Sequence, residues 1–411
     1  MFFSRFLAFD IGTYNTKIVQ ASIRGSKINV SKFAMFSTPQ NTVDDGNILN
    51  VNVLAEQIKK HLKSNKMKEK KAVITISGTS IITREIVLPK ANQRELQAMI
   101  NIEAPQYFPV NMDNYILDYK VLEEIKVEDG VQYRIILVAV PFKVIDGYVQ
   151  LMSKCNLHLN AIDFVGNSIV KLMKNEILER SINKNLKNKK NVSNNQNRQN
   201  NKIDTLLEQR ITKVYQNESL SVNTALLEKQ EIEHTQNEEV AESDTVAVID
   251  IGCHNTTITI LSKGVLKFNR ILLYGSNDFS KNISSNLHLS LEQAEQKKIS
   301  RGMIMLSEDI AQDSETIVIS ESIRAVLLNF IDDVSRLFDF YNSRETGNRI
   351  DRIYLIGGGA LVKGIEEYIE NALTIKTERI HRYKSIRFSN KTNFNDYIIY
   401  FSNCLGAVIN K

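Results

Sequence analysis

Two short segments of this chain carry the same combination of an aspartate, a glycine and small polar side chains. Residues 10–16 read Asp-Ile-Gly-Thr-Tyr-Asn-Thr, residues 250–256 read Asp-Ile-Gly-Cys-His-Asn-Thr, and five of the seven positions are identical. A glycine turn lets backbone N–H groups approach a phosphate closely because no side chain intervenes. One such turn would be an ordinary β-turn, but two related copies predict a shared phosphate site. Its predicted contacts are Gly12, Thr13, Asn15, Thr16 and Lys17 in the first segment and Gly252, Asn255 and Thr256 in the second.

An aspartate ends the apolar run that precedes each of these turns. Asp10 follows residues 6–9, and Asp250 follows residues 246–249. Mg²⁺ dehydrates reluctantly and is usually bound with several of its waters retained, beside one or two carboxylates and substrate phosphates. Asp10 and Asp250 are therefore predicted to hold Mg²⁺ through its waters.

The second half of the chain offers two further elements that favour ligand binding. Gly357, Gly358 and Gly359 follow an apolar run and precede helical periodicity, so a base or sugar can lie against bare backbone at a helix N-terminus. Glu295 and Lys298 lie one helical turn apart and therefore share a helix face. For this second pair, a surface ion pair is the alternative interpretation.

The repeated hairpin divides the chain into two related halves, which predicts two similar lobes. The predicted segments are lobe 1 at 1–83 with a return at 161–180, an inserted α+β subdomain at 84–160, a low-complexity insertion at 181–243 and lobe 2 at 244–411. Within the subdomain, apolar periodicity predicts strands at 84–88, 115–122 and 133–140 and helices at 93–107 and 142–154. In lobe 2, a capping box predicts a helix that begins after Ser290, and apolar spacing predicts a long helix over 323–341.

The insertion differs in composition from the rest of the chain. Residues 183–201 contain nine Asn and four Lys in nineteen positions, so they lack the apolar side chains that offset the entropy of ordering. We expect the insertion to be largely disordered. Apolar residues at helical spacing within 203–214 indicate a transient amphipathic helix, which we favour over a partner-binding helix.

Composition and charge argue against several other classes of protein. Apolar residues make up 43% and charged residues 24%, as in globular proteins, and the net charge of +5 does not indicate nucleic-acid binding. Cys155, Cys253 and Cys404 are far apart, which predicts reduced cytosolic cysteines without a zinc site. No apolar run approaches the roughly 20 residues of a membrane helix, so a soluble protein is expected. A lysine-rich run at 59–71 is interpreted as a solvated helix end, with weak attraction to an anionic inner leaflet as the alternative.

The two hairpins, the Gly-Gly-Gly-Ala turn and the Glu-x-x-Lys pair together resemble the actin-like ATPase superfamily. Within it, the chain resembles the PilM family of type IV pilus assembly proteins from about residue 5 to residue 409, apart from the insertion. The segments that carry this resemblance are residues 94–109, 162–163, 268–270, 292–298 and 354–360.

This resemblance implies a two-lobed α/β fold of the actin-like, ribonuclease-H-like type with an α+β subdomain inserted in lobe 1. It implies ATP and Mg²⁺ in the cleft between the lobes, with Gly357 to Gly359 beside the adenosine and with Glu295 and Lys298 at the ribose and adenine. Asp163 is the carboxylate that matches the position where the superfamily orients an attacking water. ATP hydrolysis is expected to be slow at most.

The resemblance also implies partners and a location. The subdomain, which the cell-division protein FtsA shares, is expected to bind the cytoplasmic N-terminal tail of a PilN-like inner-membrane protein. Other pilus assembly components and a second copy of the chain are further expected partners, whereas nucleic acid is not. We expect a cytoplasmic protein that reaches the inner face of the membrane through its partner. The alternatives are an FtsA-like filament-forming membrane anchor and a small-molecule kinase of the same fold, and secretion or competence systems use parts similar to those of pili.

Overall fold

The computed structural model describes residues 5–128, 130–176, 245–305, 313–388 and 394–409. These residues build a six-stranded sheet in lobe 1, a five-stranded sheet in lobe 2, a three-stranded sheet in the subdomain and a short two-stranded hairpin. The predictions for the insertion at 181–243, including the helical stretch at 203–214, lie outside the described residues.

The elements are numbered in chain order. The strands are β1 (Arg5–Ile11), β2 (Asn15–Arg24), β3 (Lys27–Ser37), β4 (Val43–Asp44), β5 (Asn47–Ile48), β6 (Lys71–Ile76), β7 (Ile82–Pro89), β8 (Tyr115–Val127), β9 (Gly130–Pro141), β10 (His158–Phe164), β11 (Thr245–Ile251), β12 (Thr256–Ser262), β13 (Val265–Leu272), β14 (Arg352–Ile356), β15 (Thr377–Arg379) and β16 (Ile386–Phe388). The helices are α1 (Val51–Ser64), α2 (Gln93–Tyr107), α3 (Phe142–Lys154), α4 (165–176), α5 (Ser276–Leu287), α6 (Leu291–Arg301), α7 (Ser314–Arg344), α8 (Ile365–Leu373) and α9 (Ile398–Val408).

The two lobes repeat one arrangement of strands. In lobe 1 the sheet order is β10-β6-β1-β2-β3-β16, and in lobe 2 it is β13-β12-β11-β14-β15. β1 pairs antiparallel with β2 and parallel with β6, just as β11 pairs antiparallel with β12 and parallel with β14. Both hairpins close in the same register, with Ile11 opposite Thr16 and Ile251 opposite Thr256. The hairpins predicted from the repeat are therefore confirmed.

The core of lobe 1 includes α3, which the sequence assigned to the subdomain. Tyr148, Leu151 and Met152 of α3 are fully buried in one apolar cluster with residues of α1, β1 and β6. β10 then pairs parallel with β6 in the lobe 1 sheet. The predicted subdomain boundary at residue 160 is therefore wrong, and the subdomain ends at Pro141. The sequence of an amphipathic helix indicates which of its faces is buried. It does not indicate which sheet that face packs against.

The subdomain has a separate apolar core. Its sheet order is β7-β9-β8, all antiparallel, and α2 covers one face through buried Leu96 and Ile100. α2 begins with a capping box in which Asn92 and Glu95 each accept a backbone hydrogen bond, and it ends where predicted, at Tyr107. The chain enters and leaves this unit at adjacent strands, because Ile82 lies opposite Ala139.

The C-terminal segment returns to lobe 1. β16 pairs parallel with β3, and α9 packs on β1, β2 and β6. Ten of the eleven residues of α9 are buried, as expected for a helix that is apolar on all sides. The assignment of residues 244–411 to lobe 2 is therefore corrected for this last part. No helix within the described ranges is both long and apolar enough to cross a membrane.

α4 and α9 make a close backbone contact. A Cβ added to Gly406 of α9 would overlap the backbone carbonyl of Ser168 in α4. Backbone cannot move aside as the tip of a side chain can, so the approach of these helices requires glycine at this position.

We predict that Gly406→Ala destabilises the protein although alanine is the better helix former. The clash should cost roughly 1–3 kcal/mol, against a gain of about 1 kcal/mol in helix propensity. Gly147→Ala in α3 is the matched control, since its methyl would meet the Ile48 side chain at 3.3 Å rather than backbone. Thermal unfolding of both variants checks this, and equal melting temperatures would contradict the packing role of Gly406.

Candidate functional site

Two cavities form a continuous cleft at the ends of the central strands. The first, of about 370 Å³, lies between the two glycine turns, and the second, of about 590 Å³, extends toward α6. The residues that border both are Tyr14, Asn15, Cys253, Ser276, Gly358 and Tyr400. Each cavity is lined by residues of both lobes.

The two turns have matching backbone geometry. The Gly12 N–H donates to the Asn15 carbonyl at 3.1 Å, and the Gly252 N–H donates to the Asn255 carbonyl at 3.0 Å. A Cβ on Gly252 would lie 2.8 Å from that carbonyl, so a larger residue would force the turn apart. Both glycines border the first cavity, as do Thr13, Asn15 and Asn255.

Two predicted phosphate contacts instead support the turns from behind. Thr16 is fully buried and its hydroxyl contacts that of Thr38 at 2.9 Å, while Thr38 Oγ1 donates to the Gly12 carbonyl at 2.7 Å. In lobe 2, Thr256 Oγ1 donates to the Tyr274 carbonyl at 2.8 Å. Neither Thr16 nor Thr256 borders the cleft. Both therefore hold the shape of a turn.

The floor of the first cavity holds one carboxylate from each lobe, joined by one amide. Asn403 Nδ2 donates to Asp10 Oδ2 at 3.2 Å and to Asp250 Oδ2 at 2.9 Å. Lys17 Nζ donates to the same Asp10 oxygen at 2.9 Å. Asn403 lies in α9, only 7% exposed. The return of α9 to lobe 1 thus completes the site.

At the floor of the first cavity, acidic side chains outnumber basic ones. Burial lowers the pKa of Lys17, but the carboxylates of Asp10 and Asp250 outweigh it, so the pKa is raised and the ammonium stays charged. Burial raises the pKa of Asp250, the Asn403 hydrogen bond opposes this, and the Asp10 charge adds to it. Two carboxylates with one lysine leave a site that favours a further cation.

The oxygen donors at the floor fit Mg²⁺ bound through water. Asn403 Oδ1 is buried and accepts no hydrogen bond, beside the two carboxylates. Hard oxygen ligands of this kind suit Mg²⁺. No group of three His, Cys, Asp or Glu side chains that could hold a metal ion occurs among the described residues.

The three glycines form a turn tighter than predicted. β14 leads into a 3₁₀ turn at Gly358–Leu361, and α8 begins only at Ile365. Gly357 has φ of +86°, and a Cβ there would overlap the Asp250 carboxylate. Gly357 borders the first cavity and Gly358 borders both, but Gly359 is buried against Ile251.

Glu295 and Lys298 form a shielded pair on the wall of the second cavity. Lys298 Nζ lies 2.6 Å from Glu295 Oε2 and donates to the Ser276 carbonyl at 2.8 Å, and Ser280 Oγ donates to Glu295 at 2.5 Å. Lys298 is 8% exposed. The alternative of an exposed surface ion pair is therefore wrong. These bonds fix the pair at the start of α5.

The structure places Asp163 away from the cleft lining. Its carboxylate accepts hydrogen bonds from Asn167 at 2.8 Å and Ser168 at 3.0 Å, and it lies 2.7 Å from Lys171 Nζ. All three partners belong to α4, whose N-terminus the carboxylate adjoins. These contacts account for Asp163 as a helix-start residue.

Several residues of the cleft escaped the sequence reasoning. Tyr14 lies in the first turn itself, whereas Asn403 and Tyr400 come from α9, where no local pattern marks them. Asp45 accepts hydrogen bonds from the Thr79 backbone and hydroxyl, which closes the rim of the first cavity. Burial raises the pKa of the Cys253 thiol to about 11, so this side chain is neutral where it borders both cavities.

The sequence profile of one protein family matches this chain almost from end to end. The family is described as "Type IV pilus assembly protein PilM", and the matched residues are 8–191 and 194–403. The chain belongs to the PilM family. The predicted family is therefore confirmed, and with it the two-lobed actin-like fold class.

Solved structures of several proteins are similar to this chain. One described as "PilM-PilN type IV pilus biogenesis complex" aligns with a TM-score of 0.71 at 19% identity, over 98% of this chain and 97% of that chain. Ethanolamine utilization protein EutJ from Carboxydothermus hydrogenoformans aligns with a TM-score of 0.48 at 12% identity, over 100% and 90%. A MamK double helical filament aligns with a TM-score of 0.49 at 11% identity, over 98% and 97%. These last two scores are too low to carry an argument about this chain.

Proposed function

We propose that this chain is a nucleotide-binding scaffold of type IV pilus assembly. It binds ATP with Mg²⁺ between its lobes, and its inserted subdomain binds the cytoplasmic N-terminal tail of a PilN-like inner-membrane protein. Membership of the PilM family supports the role in pilus assembly over that of an FtsA-like anchor or a small-molecule kinase. Attachment to PilN would hold the chain at the inner face of the membrane.

One observation carries the nucleotide proposal: glycine turns from both lobes meet at a single cavity over a pair of carboxylates. Polar side chains of both turns and the Lys17 ammonium border this cavity and suit phosphates, while Asp10 and Asp250 suit the waters of Mg²⁺. The adjoining cavity, with Glu295 and Gly358 on its walls, has room for a nucleoside. Mg²⁺ would supply the charge that neutralises the phosphates.

Slow hydrolysis agrees with the placement of Asp163, the carboxylate expected to orient an attacking water. Asp163 is engaged by Asn167, Ser168 and Lys171, and it does not border either cavity. A base that activates water must lie within hydrogen-bond reach of that water. The nucleotide is therefore proposed to act mainly as a ligand that holds the lobes together.

We predict that the unmodified chain binds ATP only when Mg²⁺ is present. The double variant Asp10→Ala, Gly252→Val should not bind ATP even with Mg²⁺. Loss of the Asp10 charge should weaken the affinity about tenfold or more, since a hydrogen bond to a charged group contributes roughly 1.5–3 kcal/mol. The valine should also displace the second turn. Isothermal titration calorimetry with and without Mg²⁺ measures this, with Asp118→Ala, an exposed carboxylate of the subdomain, as the control. Unchanged affinity in the double variant, with a normal circular dichroism spectrum, would disprove the nucleotide site.

The subdomain is the proposed partner surface because it folds around its own core and contributes nothing to the cleft lining. Its apolar cluster comprises residues of α2 and of β7 to β9. The complex of PilM with PilN among the solved structures supports a PilN-like partner for this chain.

We predict that replacement of residues 82–141 by a short Gly/Ser link abolishes binding of the PilN-like N-terminal peptide and preserves ATP binding. The link is short because Ile82 and Ala139 are opposite each other. The deletion must spare 142–160, since α3 and β10 belong to lobe 1. Fluorescence anisotropy of a labelled peptide gives the readout, and retained ATP affinity shows that the lobes remain folded. Peptide binding at full strength would refute the subdomain as the partner surface.

A further inference from the structure

The subdomain is an insertion in the sequence of lobe 1, but its charged side chains also form ion pairs with lobe 2. In sequence, the subdomain follows β6 and precedes α3, which both belong to lobe 1. On the lobe 1 side, Lys120 Nζ also donates to Asn167 of α4 at 2.8 Å. We name the tie to lobe 2 the Arg134 cluster, which comprises Glu85, Glu123 and Arg134 of the subdomain and Lys267, Arg344 and Glu345 of lobe 2.

Arg134 is the centre of this cluster. Its guanidinium lies 3.2 Å from Glu85 Oε1 and 3.1 Å from Glu123 Oε1, both within the subdomain, and 2.8 Å from Glu345 Oε1 in lobe 2. The two terminal nitrogens of this planar group each donate to a carboxylate, one in each unit, so the contact specifies the position of the two units as well as their attraction.

Two further ion pairs cross the same boundary. Lys267 Nζ of β13 lies 2.5 Å from Glu123 Oε1, and Arg344 Nη2, at the end of α7, lies 3.5 Å from Glu85 Oε1. The side chains of Arg134, Glu85 and Lys267 are only 15–17% exposed. These three charges thus lie in a partly desolvated position, where ion pairs are less screened than on an open surface, whereas Arg344 and Glu345 are 40% and 53% exposed.

Strand alternation explains why these charges lie together. Ile135 and Leu137 of β9 point into the core with α2, so Arg134 and Ile136 lie on the opposite face of the sheet. Register places Arg134 opposite Glu123 of β8 and Glu85 opposite Ile136. This face meets β13 and the end of α7 around a cavity of about 210 Å³ bordered by Ile136, Phe268 and Phe340.

The pKa shifts of Arg134 and Glu345 favour the charged form of each side chain. Burial lowers the pKa of Arg134, but the hydrogen bond to Glu345 and the charges of the three carboxylates raise it above its usual value. The hydrogen bond from Arg134 lowers the pKa of Glu345. Both groups are charged at neutral pH, so the cluster persists there.

We propose that the Arg134 cluster couples the cleft to the subdomain. The lobes meet at the cleft floor through Asn403 and along α4, where Gly166 lies against Asn269 of β13, and the cluster adds a contact between the subdomain and lobe 2. A change in lobe separation must therefore either break these ion pairs or turn the subdomain with lobe 2. Nucleotide in the cleft consequently sets the orientation of the surface that receives the partner. This inference rests on the proposed function and deepens it.

The test uses the full chain with Lys267→Gln and Glu345→Gln combined, which removes one cation and one anion of lobe 2. This variant leaves the subdomain and the net charge unchanged. Peptide affinity is measured by anisotropy with and without saturating Mg-ATP. In the unmodified chain, nucleotide should change peptide affinity about 5-fold or more, the lower end of known couplings. In the variant the change should fall below about 2-fold, while each ligand still binds alone.

The matched control is Lys376→Gln with Glu370→Gln, a lobe 2 pair at 3.2 Å that does not touch the subdomain, and it should keep the full coupling. Arg134→Gln is the second variant and should behave like the first. Undiminished coupling in both cluster variants, or no coupling in the unmodified chain when both ligands bind, would overturn the inference alone. Failure of the unmodified chain to bind ATP or the peptide would overturn the proposed function as well.

Discussion

Two carboxylates from opposite lobes accept hydrogen bonds from one amide, and the rest of the site depends on this contact. Asp10 and Asp250 have lost most of their water and face each other, an arrangement that is costly unless cations or donors compensate it. Asn403 and Lys17 compensate in part. A hydrated Mg²⁺ with phosphates would complete the balance, so ligand binding and lobe closure stabilise the same arrangement.

The duplicated hairpin explains how the chain builds this contact. In each lobe the aspartate lies at the carboxyl end of a central strand that is parallel to one neighbour. Asp10 and Asp250 therefore occupy equivalent positions in the two sheets. Threonine hydroxyls and the N–H groups of Gly12 and Gly252 then hold the turns, and polar side chains of both turns border the cavity. The subdomain stands outside this duplication. It contacts lobe 2 through Arg134 and does not line the cleft.

Sequence reasoning reached the parts of the site that local pattern encodes. The hairpins, the capping box at Ser290 and the limits of α2 follow from neighbours in sequence, and the structure confirms them. It failed for Asn403 and Tyr400 because α9 is apolar on all sides, and no periodicity then tells which face meets which lobe. The boundary at residue 160 failed for a related reason, since the apolar stripe of α3 fits either core. Thr16 and Thr256 have hydroxyl groups that could bind a phosphate. In the structure, however, neither side chain borders the cleft.

Hydrogen exchange with and without Mg-ATP tests whether both lobes hold one nucleotide between their turns. Peptides covering residues 10–17 and 250–257 should gain protection together, at the same nucleotide concentration, and the peptide containing Asn403 should follow them. Protection of one hairpin without the other would contradict it, because a nucleotide bound to a single lobe would leave the carboxylate pair and the cleft without a common ligand.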